Sequence, residues 1–149
     1  LSLIARNFDE KLPGRGVIIA DDAALLASAE TLPELMRGAL DRQALHEALE
    51  SVWKVIRGAN AYIDRQAPWV LRKTDPPRMA TVLRVLADAL RVVATVLQPF
   101  MPDSMGRMLD QLGVPAEART LAALLTPLPD GIELPPPQGV FPRHVETAA

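Results

Sequence analysis

Proline cannot sit inside a helix without breaking it, and the placement of fourteen prolines leaves this chain few ways to fold. Two long stretches without proline, Asp41 to Ala67 and Arg78 to Gln98, carry apolar residues at three- and four-residue steps. In the first, Leu45, Leu49, Val52, Ile56, Ala59 and Ile63 fall on one helical face. In the second, Met79, Val82, Leu83, Leu86, Leu90, Val93 and Leu97 make a stripe that Val85, Ala89, Val92 and Val96 widen. Only Arg84, Asp88, Arg91 and Gln98 then remain as a polar face, so this helix is expected to pack against several others. Pro68 ends the first helix by biasing Ala67 away from the α region. Asp75 caps the second, with Pro76 and Pro77 in its first turn, and Pro99 to Pro102 break it.

The remaining segments fit the same pattern. Leu1, Ile4 and Phe8 read as the last turns of a helix whose beginning is missing, so the chain is expected to be a piece of a larger protein. Lys11 to Gly16 is a loop. A helix from Asp21 or Asp22 carries Leu25, Leu26, Ala29, Leu32, Leu35, Met36 and Leu40, with a restart or kink at Thr31-Leu32-Pro33, and Asp41 is expected to cap the next one. Asp103 opens a shorter helix through Met105, Met108, Leu109 and Leu112, closed by Gly113, and one further turn fits Leu121 to Leu125. From Pro127 onward six prolines forbid helix. The expected fold is all-α, a bundle of four to five helices over residues 1–126. Residues 127–149 form an extended, proline-rich tail whose Phe141 packs back on it.

Composition narrows the function more by what it excludes. With no cysteine there are no disulfides or thiolate metal sites. No apolar run approaches the roughly 20 residues that span a bilayer. His46 and His144 stand without a nucleophile or an orienting carboxylate, and no glycine-rich phosphate loop is present, so no catalytic site is expected. The net charge of −2 gives no global attraction to nucleic acid. Yet Lys54, Arg57, Arg65, Arg72, Lys73, Arg78, Arg84 and Arg91 outnumber Asp64, Asp75 and Asp88, so this window holds +5 and the rest −7. A solvated helix face explains these cations as well as a phosphate-binding patch does.

Within the window Pro68 delivers Trp69 on a fixed corner, with Arg65 a turn behind and Arg72 and Lys73 ahead. A rigid ring beside cations suits the face of an unpaired base; it suits burial at a helix corner equally, and burial is the commoner fate of tryptophan. Trp53, next to the Val52 stripe, is expected to be packed.

The run Ala59-Asn60-Ala61-Tyr62-Ile63-Asp64-Arg65-Gln66-Ala67-Pro68-Trp69 resembles the "ANxYxDxxxPW" segment of bacterial methionyl-tRNA synthetases, which lies in their helical anticodon-binding domain. Leu97-Gln98-Pro99-Phe100-Met101-Pro102 and Gly139-Val140-Phe141-Pro142-Arg143 resemble two further segments of that family, so the likeness covers almost the whole chain. The resemblance implies a domain that binds the CAU anticodon of tRNA(Met), with Trp69 contacting the anticodon near its cytosine. Arg65, Arg72 and Lys73 would approach phosphates, and Asn60, Tyr62, Asp64 and Gln66 would hold the corner. The family's other readers, an asparagine and an arginine in an NLxxR motif, have no counterpart, since Asn7 and Arg6 stand at the wrong spacing. Its HIGH and KMSKS signatures and zinc-bearing insertion are likewise missing. The resemblance thus implies no cofactor here, ATP and Mg being used by a catalytic domain of the parent chain, and a cytoplasmic, monomeric, non-membrane protein. The competing expectation is a non-catalytic helical bundle that kept this fold and binds protein.

Overall fold

The computed structural model describes residues 1–141. Seven α-helices are present among them: α1 (Ser2–Asn7), α2 (Ala20–Glu30), α3 (Leu32–Asp41), α4 (Leu45–Gln66), α5 (Pro68–Thr74), α6 (Pro76–Leu97) and α7 (Pro102–Gln111). Two short 3₁₀ turns follow, Ala116–Ala118 and Ala122–Leu125. The class is all-α as expected, but the number of helices is higher. The chain restarts at Leu32, with Pro33 in the first turn, and again at Pro68, so each proline begins a helix of its own.

The bundle is organised around α6, which packs against α2, α3, α4, α5 and α7. Its start is as expected, the Asp75 carboxylate accepting a bond from the Arg78 N–H at 3.0 Å, with Pro76 at the first helical position. Met79, Val82, Val85, Ala87, Ala89 and Ala94 are fully enclosed. Gly113, at φ +66°, closes α7 in the left-handed conformation that favours glycine.

Three expectations change. Asp41 does not cap α4; it is the last residue of α3, and the chain turns through Gln43, at φ 57°, before α4 opens at Leu45. The buried stripe of α4 is Ala48, Val52, Val55 and Tyr62, displaced around the helix from the face expected, so Leu45 and Leu49 lie at its exposed rim. Trp53 is consequently 56% exposed rather than packed.

The polar face assigned to α6 is the third correction, because Arg84, Asp88 and Arg91 are buried. Each faces chain that returns over the helix. Arg84 donates to the Pro13 carbonyl at 3.2 Å, to the Leu128 carbonyl, to Asp130 and, at 3.0 Å, to Asp88. Arg15 donates to Asp88 at 2.9 Å, and Arg91 to the carbonyls of Thr126 and Ala123 at 2.8 and 2.9 Å. These guanidiniums satisfy backbone oxygens that irregular chain leaves unpaired, which makes burying them tolerable.

The segment after Pro127 is irregular and closely attached. Leu128 and Leu134 are buried, Lys11 and Glu133 form an antiparallel bridge, and Leu134 donates to the Glu10 carbonyl at 2.7 Å. Phe141, the expected anchor, is 61% exposed and only borders a groove with Trp53, Met101 and Met105. Pro142, Arg143 and His144 lie outside the described residues.

Candidate nucleic-acid interface

The corner after α4 is built by three consecutive residues. Gln66 ends the helix, Ala67 takes a left-handed conformation (φ 43°, ψ 61°), and Pro68 is buried at the first position of α5. A left-handed alanine is strained and persists only where its surroundings over-determine it. Trp69 follows at the second position of α5 and is 52% exposed, so a planar ligand has access to it. Arg72 and Lys73 stand three and four residues on, which places both on the same side of the short helix as Trp69, and both are exposed.

Beneath the corner lies a network that sequence spacing could not reveal. Asp22, fully enclosed in α2, accepts from both terminal guanidinium nitrogens of Arg78 at 2.6 Å, from the Tyr62 hydroxyl at 2.6 Å and from the Ile19 N–H at 3.0 Å. Gln66 joins the same group from α4: its amide nitrogen donates to Asp21 at 2.9 Å, and its oxygen accepts from Arg78 at 2.7 Å. Arg65 donates to both Asp21 oxygens, at 3.2 and 2.7 Å. Helices α2, α4 and α6 are therefore tied together directly under the turn that carries Trp69.

The protonation states follow from these contacts. Burial pushes the Asp22 carboxyl upward, but the bonds from Arg78, Tyr62 and Ile19 outweigh it and hold the group below its ordinary range. The Arg65 guanidinium and then the Gln66 amide lower Asp21. Burial, and then the bond to Asp22, raise the Tyr62 hydroxyl, which stays protonated as the donor.

The expected site residues are only partly brought together. Trp69, Arg72 and Lys73 form one exposed group, and the ion pairs at the corner engage Arg65 and Arg78 instead. Arg65 adjoins the group but is already bound to Asp21. Asn60 lies about 9 Å back along α4 at the helical rise, exposed beside Leu1, Ser2 and Ile63. Of the residues expected to hold the corner, Gln66 and Tyr62 do so. Asn60 and Asp64 make no side-chain hydrogen bond among the described residues. Asp22 and Arg78 were missed as partners: 56 positions separate them, and Asp22 carries an ordinary capping signal that hides its second task. The basic window also changes meaning, since Arg84 and Arg91 are buried and the part-buried Arg78 is committed to Asp22 and Gln66.

Among the described residues no His, Cys, Asp or Glu side chains cluster in a way that could hold a metal, and no helix is long and apolar enough to cross a membrane. What the corner offers chemically is one flat ring and two exposed cations on a hydrogen-bonded base.

Comparison with known proteins places this arrangement. Residues 12–148 match the family model described as the anticodon binding domain of methionyl tRNA ligase. The chain is 49% identical over 147 residues to a methionine–tRNA ligase of Brucella suis, covering 98% of this chain and 28% of that protein. It is 45% identical over 148 residues to one of Mycobacterium bovis, with 97% and 28% covered. The crystal structure of the apo form of Mycobacterium tuberculosis methionyl-tRNA synthetase superposes with a TM-score of 0.94 at 44% identity, over 97% of this chain and 30% of that one. The same enzyme in complex with methionyl-adenylate gives 0.93 at 45%, over 95% and 29%. The chain thus spans about 28% of the length of the curated relatives it matches.

Proposed function

Because this chain belongs to the anticodon-binding domain family of methionyl-tRNA ligases, we propose that it binds the anticodon stem-loop of tRNA(Met) through α5 and reads its CAU triplet with Trp69. Unpaired loop bases can be splayed out and stacked on aromatic rings, whereas the major-groove edges of A-form duplex RNA are closed to side chains. Trp69 provides such a platform; Arg72 and Lys73 lie within reach of the neighbouring phosphates, and Arg65 joins them when RNA competes with Asp21. Asn60 is a further contact, on the flank of α4. The domain serves a catalytic part of the same protein, where methionine is attached to tRNA with ATP and Mg, in a cytoplasmic monomer. The single observation that carries this reading is the half-exposed ring of Trp69 held on a rigid base beside two cations.

The test is Trp69→Ala in the full chain, with an RNA stem-loop bearing CAU as the probe. Losing one base–aromatic stack should weaken binding by about 1–3 kcal/mol, while the melting temperature hardly changes because the ring is already half in water. Unchanged affinity would remove Trp69 from the interface, and an unaltered chain that fails to bind the stem-loop would leave the protein-binding bundle as the reading.

A further inference from the structure

We infer that Gln66 is a positioning residue, its amide spanning Asp21 on α2 and Arg78 on α6 so that the α4–α5 corner, and with it the Trp69 ring, keeps one orientation. This rests on the anticodon reading above for its consequence in binding.

Three observations converge on it. Gln66 is the last residue of α4 and directly precedes Ala67, whose left-handed backbone is the strained point of the turn. A helix end is free to fray unless something beyond its own hydrogen bonds retains it. Here the Gln66 side chain does so with both ends of its amide. The carboxamide suits this place for a chemical reason. It must donate to a carboxylate and accept from a guanidinium at once, which neither Glu nor Lys nor an apolar side chain can do. Of its two partners, Arg78 is itself fixed by the enclosed Asp22, and Asp21 adjoins Asp22 on α2. The restraint therefore reaches Trp69, three residues on, from a buried and multiply bonded polar group. Pro68 between them passes the restraint on, because its ring fixes φ and leaves little freedom to absorb a movement of Gln66.

Gln66→Met keeps the length and removes both polar ends; Gln66→Glu keeps the acceptor and sets a charge against Asp21. The full chain carrying either change, alone and with Trp69→Ala, is titrated with the CAU stem-loop. Gln66→Met should weaken binding roughly fivefold when Trp69 is present, the loss of part of one base stack, and should have no effect once Trp69 is absent. Equal losses in the two backgrounds, or no loss where Trp69→Ala does weaken binding, would overturn the inference. A second arm needs no RNA. In a Trp53→Phe chain Trp69 is the sole tryptophan, and its time-resolved anisotropy should show larger ring motion in both Gln66 variants. If Trp69→Ala leaves binding unchanged, the anticodon reading falls and this arm decides by itself. Unchanged ring motion would then show that Gln66 does not position Trp69.

Discussion

Trp53 and Trp69 are exposed to nearly the same degree, 56% and 52%, yet they sit in opposite surroundings. Trp53 projects from the middle of α4 into an apolar groove with Leu49, Ile56, Leu97, Met101, Met105 and Phe141. Trp69 stands on a proline-fixed corner above the Asp21–Asp22–Gln66–Arg78 network, with Arg72 and Lys73 on its own helical face. Exposure alone therefore does not mark an RNA-stacking residue. Exposure, a proline-fixed backbone and cations without an ion pair among the described residues together distinguish one ring from the other. The Trp53 groove offers flexible thioethers, which suit apolar contact, and no phosphate-binding group.

The contrast can be broken most severely from below. Asp22→Ala would leave the Arg78 guanidinium and the Tyr62 hydroxyl without their shared acceptor, and removing one partner of a buried pair costs about 3–5 kcal/mol. A denaturant melt should show that loss. RNA binding should weaken in the protein that remains folded, while the quencher accessibility of Trp53 stays as it was. A loss below about 1 kcal/mol, the range of an exposed pair, would mean that the network does not support the corner.

Acidity acts on the same group more gradually. The folded Asp22 carboxyl titrates below its ordinary value, so its contribution is fully present above about pH 4 and is lost as pH falls through the folded value. The raised Tyr62 hydroxyl contributes below about pH 10 and loses that contribution as pH rises beyond it. Thermal melts across pH should therefore fall at both ends, and Asp22→Asn should flatten the acid side. An unaltered acid limb in that variant would count against the assignment.

Smaller still are the exposed cations. Arg72→Ala and Lys73→Ala should each lower the slope of log affinity against log salt by about 1 and leave stability unchanged. Asp21→Asn should raise that slope by releasing Arg65 to the RNA. Trp53→Ala should move neither the slope nor the affinity, and its cost in stability should stay near 1 kcal/mol, as for a ring that is half in water already. A salt slope unaffected by Arg72→Ala, Lys73→Ala and Asp21→Asn alike would place the phosphates elsewhere.

How much of this was legible in the sequence depends on how local each cause is. The α4–α5 corner was readable because Ala67, Pro68 and Trp69 are neighbours and proline acts on its own backbone. The start of α6 at Asp75-Pro76-Pro77 was readable for the same reason. The network was not, because Asp22, Tyr62 and Arg78 meet across 40 and 56 positions and a carboxylate at a helix start looks like a cap. Periodicity puts Arg84 and Arg91 on the polar face of their helix, open to water or to a phosphate, because charge ordinarily implies exposure. Besides Asp88 and Asp130, which Arg84 also meets, their acceptors are backbone carbonyls of Pro13, Ala123, Thr126 and Leu128, which carry no sequence signal. Trp53 shows the limit of periodicity. Adjacency to Val52 suggested packing, but the buried stripe runs through Ala48, Val55 and Tyr62, and the turn of about 100° per residue carries Trp53 to its edge.

One measurement bears most directly on the difference between the two rings. A Trp53→Phe chain reports Trp69 alone and a Trp69→Phe chain reports Trp53 alone, and each is titrated with the CAU stem-loop while binding is followed independently on labelled RNA. Stacking predicts that Trp69 emission is quenched along the binding curve and that its access to acrylamide falls, with Trp53 unchanged throughout. Saturable binding that leaves Trp69 emission and access unaltered, or that shields Trp53 instead, would contradict the role given to the corner.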